Sequence, residues 1–209
     1  MGRSEHSVEE LREGPYELLA TVRHEDLIPF VLGYFFRRTS WITGLHHALS
    51  LAALASIVTV AVARDIAFLR ALAHFGLGTL VMLVLVVPLH EALHALAYWL
   101  CGARDIRFAI VWRMMAAYVA ADRFVAGRRA FVFVALTPFV GISTGTLVLV
   151  VADPKRAVVW LTLLLWHTAG VSGDWALLNY YWLNRRREIF TFDEDGVSYF
   201  YARTRAEVT

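Results

Sequence analysis

The chain has 209 residues and a formal net charge of +2, with 58% hydrophobic residues and a mean hydropathy of +0.54. That balance is too apolar for an ordinary soluble globule, and the slight positive charge sits near helix ends instead of forming a surface that would track a phosphate backbone, so no nucleic-acid partner is expected. The single cysteine, Cys101, excludes an intramolecular disulfide.

Residues 1–40 carry mixed charge and a late apolar patch, IPFVLGYFF, that suits either a membrane-surface helix or a packed juxtamembrane segment. The start, MGRSEH, lacks the hydroxyl residue a myristoylation signal wants at its sixth position, so no lipid anchor is implied. Four apolar stretches follow, 41–63, 76–101, 130–152 and 157–183, each near the roughly 20 residues needed to cross a bilayer. The first lies too far along the chain to read as a cleavable signal peptide. Arg37 and Arg38 precede it, six arginines (Arg104, Arg107, Arg113, Arg123, Arg128, Arg129) occupy the loop after the second stretch, and Arg185 to Arg187 follow the fourth. The other loops hold only Arg64, Arg70, Lys155 and Arg156, so both termini and the long middle loop are expected on the cytoplasmic side.

In that middle loop, DIRFAIVWR alternates in the two-residue period of a strand and MAAYVAA follows, which fits a β-hairpin able to accept an extended peptide as well as it fits an ordinary loop. In the third stretch, GISTG spaces small residues four apart, a packing pattern. At the C-terminus, TFDEDGVSYFYA reads as a hairpin turning at Asp195-Gly196. The expected fold is an all-α polytopic membrane protein of about four transmembrane helices, with room for a small β-hairpin between the second and third. Residues 1–40 form the N-terminal segment, 41–183 the membrane domain and 184–209 a cytosolic tail.

The chemistry lies in LVVPLHEALHALAYWL. His90 and His94 stand four residues apart, one turn along one helix face, so both imidazoles can reach one cation while Glu91 lies beside them, placed to handle its water. Ionisable groups cost about 2.5–3.5 kcal/mol or more at mid-membrane and persist there where they face a cavity or a partner. Zinc suits two imidazoles and a carboxylate with a position open for water. The third ligand expected is Asp174, a carboxylate deep in the fourth stretch. Counting about 1.5 Å per residue from the middle of each span puts His90 and His94 about 3 and 9 Å past it and Asp174 about 6 Å past it. Gly170, Ser172 and Gly173 precede Asp174 and allow close packing or local unwinding. His167, about two turns earlier, fits a site-lining or substrate-binding role as well as a structural one, and Pro88 marks a place for a kink.

HEALHALAYWLCGA, AAYVAA, LTP and GVSGD, spread over residues 80–180, resemble the putative zincin peptidases, small bacterial membrane proteins, and more broadly the intramembrane zinc metalloproteases of the site-2 type. The resemblance implies His90, His94 and Asp174 as zinc ligands, Glu91 as catalytic base, and a membrane-protein or peptide substrate in the lipid bilayer; separately, Tyr118 and His167 are candidate substrate contacts. GVSGDW departs from the LDG pattern of typical site-2 proteases, and no PDZ-like insertion is present.

Peptide hydrolysis in or next to the bacterial cytoplasmic membrane is therefore the leading expectation. The alternative from another class is a membrane metal-binding or transport protein that holds a cation on the same His/His/Asp set without hydrolysis. A haem carrier fits poorly, because His90 and His94 share one face and cannot ligate opposite sides of one haem. A structural scaffold is the remaining alternative.

Overall fold

The computed structural model describes residues 6–111 and 116–204. Residues 1–5, part of the stretch read for a lipid anchor, and Arg113, within the loop read as a hairpin, lie outside the described residues.

The N-terminal segment folds into a short helix α1 (Val8–Glu13), capped where Ser7 Oγ accepts the Glu10 N–H, then strand β1 (Tyr16–Arg23), then helix α2 (Leu27–Leu32), which runs into a π-helical turn at Gly33–Arg37. Helix α3 (Trp41–Ala63) begins at Ser40, whose Oγ accepts the Ile42 N–H while Thr43 Oγ1 accepts the Ser40 N–H. After a four-residue turn come α4 (Phe68–Val81), a π-helical turn at Met82–Val86 and α5 (Val87–Leu100), together one continuous helix of 33 residues. The wide turn falls where Pro88 lacks the N–H that would bond the Val84 carbonyl, and the Val87 N–H reaches back to Met82 instead. Strands β2 (Ile106–Val111) and β3 (Ala116–Ala121) form an antiparallel hairpin in the middle loop, paired from Ile106↔Ala121 to Val111↔Ala116. A two-residue strand β4 (Ala126–Gly127) leads into α6 (Arg128–Ala152), followed by α7 (Ala157–Gly170), α8 (Ser172–Leu183) and the strands β5 (Ile189–Glu194) and β6 (Val197–Arg203).

Two expectations are corrected. The protein is mostly helical but not all-α, because β1, β6, β5 and β4 form an antiparallel four-stranded sheet in that order, joining the two ends of the chain. Mixed-charge residues hid β1, whose strand character depends on a partner some 180 residues away. The number of long apolar helices is three among the described residues: Trp41–Ala63, Phe68–Leu100 and Arg128–Ala152 are long and apolar enough to cross a membrane. The fourth stretch breaks at Val171 into helices of 14 and 12 residues, and the second begins earlier than expected, so that Arg70 lies inside α4 and not in a loop.

The long helices present apolar side chains outward: Val62, Phe68 and Val151 are 75%, 78% and 81% exposed, a surface soluble monomers do not maintain over such areas. Their inner faces meet closely. A Cβ added to Gly78 on α4 would lie 2.6 Å from the Val159 carbonyl oxygen on α7, so only glycine permits that approach. The expected GISTG contact is weaker, with Gly141 facing Leu93 at ordinary distance and open space at Gly145.

The sheet packs against one end of the helices. Alternation along β5 and β6 divides its faces: Phe190, Phe192 and Tyr201 cover Val8 and Leu11 of α1, while Ile189 and Phe200 join Val22, Phe131, Leu178 and Tyr181 against the helices. The expected turn forms at Asp195-Gly196, both with positive φ (50° and 76°), as a tight two-residue hairpin requires. Arg128 donates to the carbonyls of Asn184, Arg185 and Arg187 beyond α8. Buried Asn179 on α8 donates to the carbonyls of Tyr34 and Arg38, both at 2.6 Å, and accepts from Ser40 Oγ at 2.6 Å, which ties the N-terminal segment to the helices.

Candidate active site

On α5, the i, i+4 spacing sets the imidazoles of His90 and His94 edge to face, with their Nε2 atoms 3.0 Å apart. The break at Val171 starts a new helix and places Asp174 in its first turn, with Oδ2 3.4 Å from His90 Nε2 and 3.5 Å from His94 Nε2. The negative group suits the N-terminus of this new helix.

The proton of His94 is directed away from this triangle, and that of His90 is too when a cation takes its Nε2. His94 Nδ1 is 3.1 Å from the Val134 carbonyl, which can only accept, so the ring proton sits on Nδ1 and Nε2 keeps its lone pair. That carbonyl is free because Pro138, four residues on in α6, has no N–H to return to it. Pro138, visible in the sequence only within the LTP motif, thus supplies the acceptor that orients a ligand. His90 Nδ1 lies 3.4 Å from His167 Nε2 on α7, and His167 is fully buried. With His90 donating there, His167 carries its own proton on Nδ1, which is buried without a hydrogen-bond partner among the described residues.

The result is three lone-pair donors converging at 3.0, 3.4 and 3.5 Å. Left alone, such acceptors repel. A tetrahedral zinc with bonds of about 2.0–2.1 Å holds its ligands about 3.3 Å apart, which matches this triangle, and ligating histidines characteristically donate their other nitrogen to an acceptor behind them. His90, His94 and Asp174 are thus close enough to bind a metal, and their chemistry fits zinc.

Glu91 and the triad line a cavity of about 320 Å³. The backbone of Val119 on β3 comes within reach of the Glu91 carboxylate, and Tyr118 lines the same cavity. Burial, reinforced by the nearby Asp193 carboxylate, raises the Tyr118 phenol above its ordinary value of 10, so it stays protonated and able to donate. Of the sequence candidates, Glu91, His90, His94, Asp174 and Tyr118 meet at the cavity, while His167 stands behind His90 and does not line it.

A family model described as putative zincin peptidase matches residues 83–188, just over half of the chain. The chain belongs to this family. The family's description suggests a metallopeptidase and implies zinc, and the matched residues contain the whole triad together with Glu91 and Tyr118. No curated protein and no solved structure matches the chain. Outside the region shared with the zincin peptidase family lie other lining residues that sequence reading missed: Val22, His24, Thr191, Asp193, Ser198 and Phe200. Their signal was the alternation in FTFDED and VSYF, which places Thr191, Asp193, Ser198 and Phe200 on one face, but only pairing with β1 shows what that face meets.

Proposed function

We propose that this chain is a membrane-embedded zinc metallopeptidase of the site-2 type, in the bacterial cytoplasmic membrane with both termini cytoplasmic, that hydrolyses peptide bonds of membrane or membrane-proximal segments. The observation that supports this most is the convergence of three lone-pair donors on one point, with Glu91 from the same helix lining the same cavity. The three long apolar helices and their outward apolar side chains support the membrane setting, and α7 with α8 together make the fourth crossing that two cytoplasmic termini require. Arginines gathered on the side of the sheet support the orientation.

The chemistry a zinc ion supplies in such a site is Lewis acidity, which acidifies water and polarises a carbonyl oxygen. Glu91 removes a proton from the attacking water and returns it to the departing amine. Val134 and His167, through their contacts with His94 and His90, hold the two imidazoles in the tautomers that leave Nε2 unprotonated. A cavity of about 320 Å³ is too small for an intact helix, about 10–12 Å across with its side chains, so the substrate enters as an unwound stretch.

Zinc content per chain, measured beside cleavage of unstructured peptides, tests this reading. About one zinc is expected in the parent and in Glu91→Gln, and none in His94→Ala or Asp174→Ala. Cleavage should fall about 10²–10⁴-fold in Glu91→Gln. Undiminished cleavage by that variant would remove Glu91 from the mechanism. Zinc uptake into liposomes that needs Asp174 but survives Glu91→Gln would make the protein a metal carrier.

A further inference from the structure

The cavity has a second polar end, opposite in character to the metal triad and built from other parts of the chain. Alternation along the paired strands β5 and β6 turns Asp193 and its register partner Ser198 inward. Ser198 Oγ donates to Asp193 Oδ1 at 2.5 Å. His24, just after β1, places Nε2 3.0 Å from Ser198 Oγ and 3.4 Å from the same carboxylate oxygen. Tyr118 stands edge-on to His24, with ring centroids 4.7 Å apart.

Both partners of Asp193 engage Oδ1, and among the described residues no lysine or arginine pairs with this carboxylate. Its side chain is 20% exposed, so a carboxylate largely withdrawn from water has a hydroxyl and an imidazole beside it but no fixed cation. The rest of the lining does not supply one. Among the described residues its charged groups are the carboxylates of Glu91, Asp174 and Asp193, its imidazoles are His24, His90 and His94, and neither lysine nor arginine contributes to the wall. Two imidazoles and Asp174 face one cation at the triad, and Glu91 is assigned to proton transfer, which leaves Asp193 as the unmatched charge. The same cavity is also lined by the apolar side chains of Leu27, Phe30, Phe131, Leu177 and Phe200. Such a surface suits the aliphatic stem of a long side chain whose charged tip reaches a carboxylate.

We infer that the Asp193 end of the cavity, with His24, Ser198 and Tyr118, receives the ammonium or guanidinium group of a basic residue in the substrate peptide and selects for it. This rests on the peptidase reading above and deepens it. Residues outside 83–188 supply His24, Asp193 and Ser198, so selectivity belongs to the terminal sheet while the metal triad belongs to the family region.

The test is binding, measured with the full-length, zinc-loaded Glu91→Gln protein in nanodiscs so that no peptide is consumed. The probes are dye-labelled apolar decapeptides, acetylated and amidated to remove terminal charges, with lysine, norleucine or glutamate placed at each position in turn. At one position lysine should bind about tenfold tighter than norleucine, as expected for a hydrogen bond to a charged group, and glutamate weaker still. A matching peptide with a free N-terminus and no lysine separates an α-amino source from a side-chain source. Asp193→Asn should bring the lysine-to-norleucine ratio near one with zinc still bound, whereas Glu188→Gln, which removes a carboxylate that lies outside the cavity and pairs with Arg203, should preserve the preference. A ratio near one at every position in the protein with Asp193 intact, no binding of any peptide, or a preference that survives Asp193→Asn would overturn the inference. Lysine-selective binding without cleavage by the parent protein would support this subsite and overturn the peptidase reading, and cleavage without selectivity would do the reverse.

Discussion

The two ends of the cavity are assembled in different ways. At the metal end, His90, Glu91 and His94 come from one turn of one helix, and only Asp174 arrives from elsewhere. At the sheet end, His24 comes from the N-terminal segment, Tyr118 from the middle loop, and Asp193 and Ser198 from the C-terminal hairpin. The first arrangement depends on helical periodicity and survives small changes in packing. The second exists only when β1, from the start of the chain, pairs in register with β6, because a one-residue slip there would turn Val22 and the following His24 away from the face that carries Asp193 and Ser198. An invariable reaction centre and an adjustable selective wall can therefore occupy one cavity.

The sharpest way to break this comparison is to act on the metal end alone. Asp174→Ala should remove zinc, with a loss of cleavage at least as large as that of Glu91→Gln, while circular dichroism stays close to the parent. A simultaneous collapse of the sheet would show that the two ends are not separable. Next in size, Asn179→Ala removes two donors and an acceptor that hold Tyr34, Arg38 and Ser40, and leaves buried carbonyls unmatched. It should cost about 2–4 kcal/mol in denaturant unfolding and loosen the N-terminal segment that carries β1 and His24. Unchanged stability would mean that the strands hold the segment without this bond network.

Pro138→Ala sharpens the metal side. It restores an N–H facing the Val134 carbonyl and sets it in competition with His94 Nδ1, so zinc affinity measured against a chelating dye should fall about tenfold although the helix itself is improved. Equal affinity would show that His94 needs no such acceptor. The smallest effect lies at the sheet. A hydrogen bond from Arg12, followed by the charges of Arg12 and Arg123, holds the Glu194 carboxyl below its ordinary value of 4.5. Since the folded value is the lower one, this stabilisation is complete above pH 4.5 and is lost as the pH falls through the folded value. Glu194→Gln should therefore lower the melting temperature slightly at pH 7 and leave it unchanged well below pH 4. An equal effect at both would place the role of Glu194 outside its charge.

The legibility of each region follows the same division. The span 41–63 was readable to its ends, because a helix of that composition satisfies its own backbone bonds and needs no partner to define it. The 157–183 stretch looked equally continuous. Its division at Val171 follows from where α8 must start to aim Asp174, and hydropathy carries no trace of that. Thr137-Pro138 was visible but its use was not, since a proline frees a carbonyl wherever it occurs and only the neighbouring helix shows that His94 takes it up.

By itself, the sequence determined the helix over 41–63, the paired imidazoles with Glu91 beside them, and the turn at Asp195-Gly196, because each follows from spacing along a continuous segment, and it singled out Asp174 as the carboxylate most able to join the imidazoles. Only the tertiary structure decided that the chain ends share one sheet, that α8 begins afresh at Ser172, and that His24, Asp193 and Ser198 face the metal triad across one cavity. Those outcomes depend on which distant surfaces meet, and local periodicity does not encode a partner.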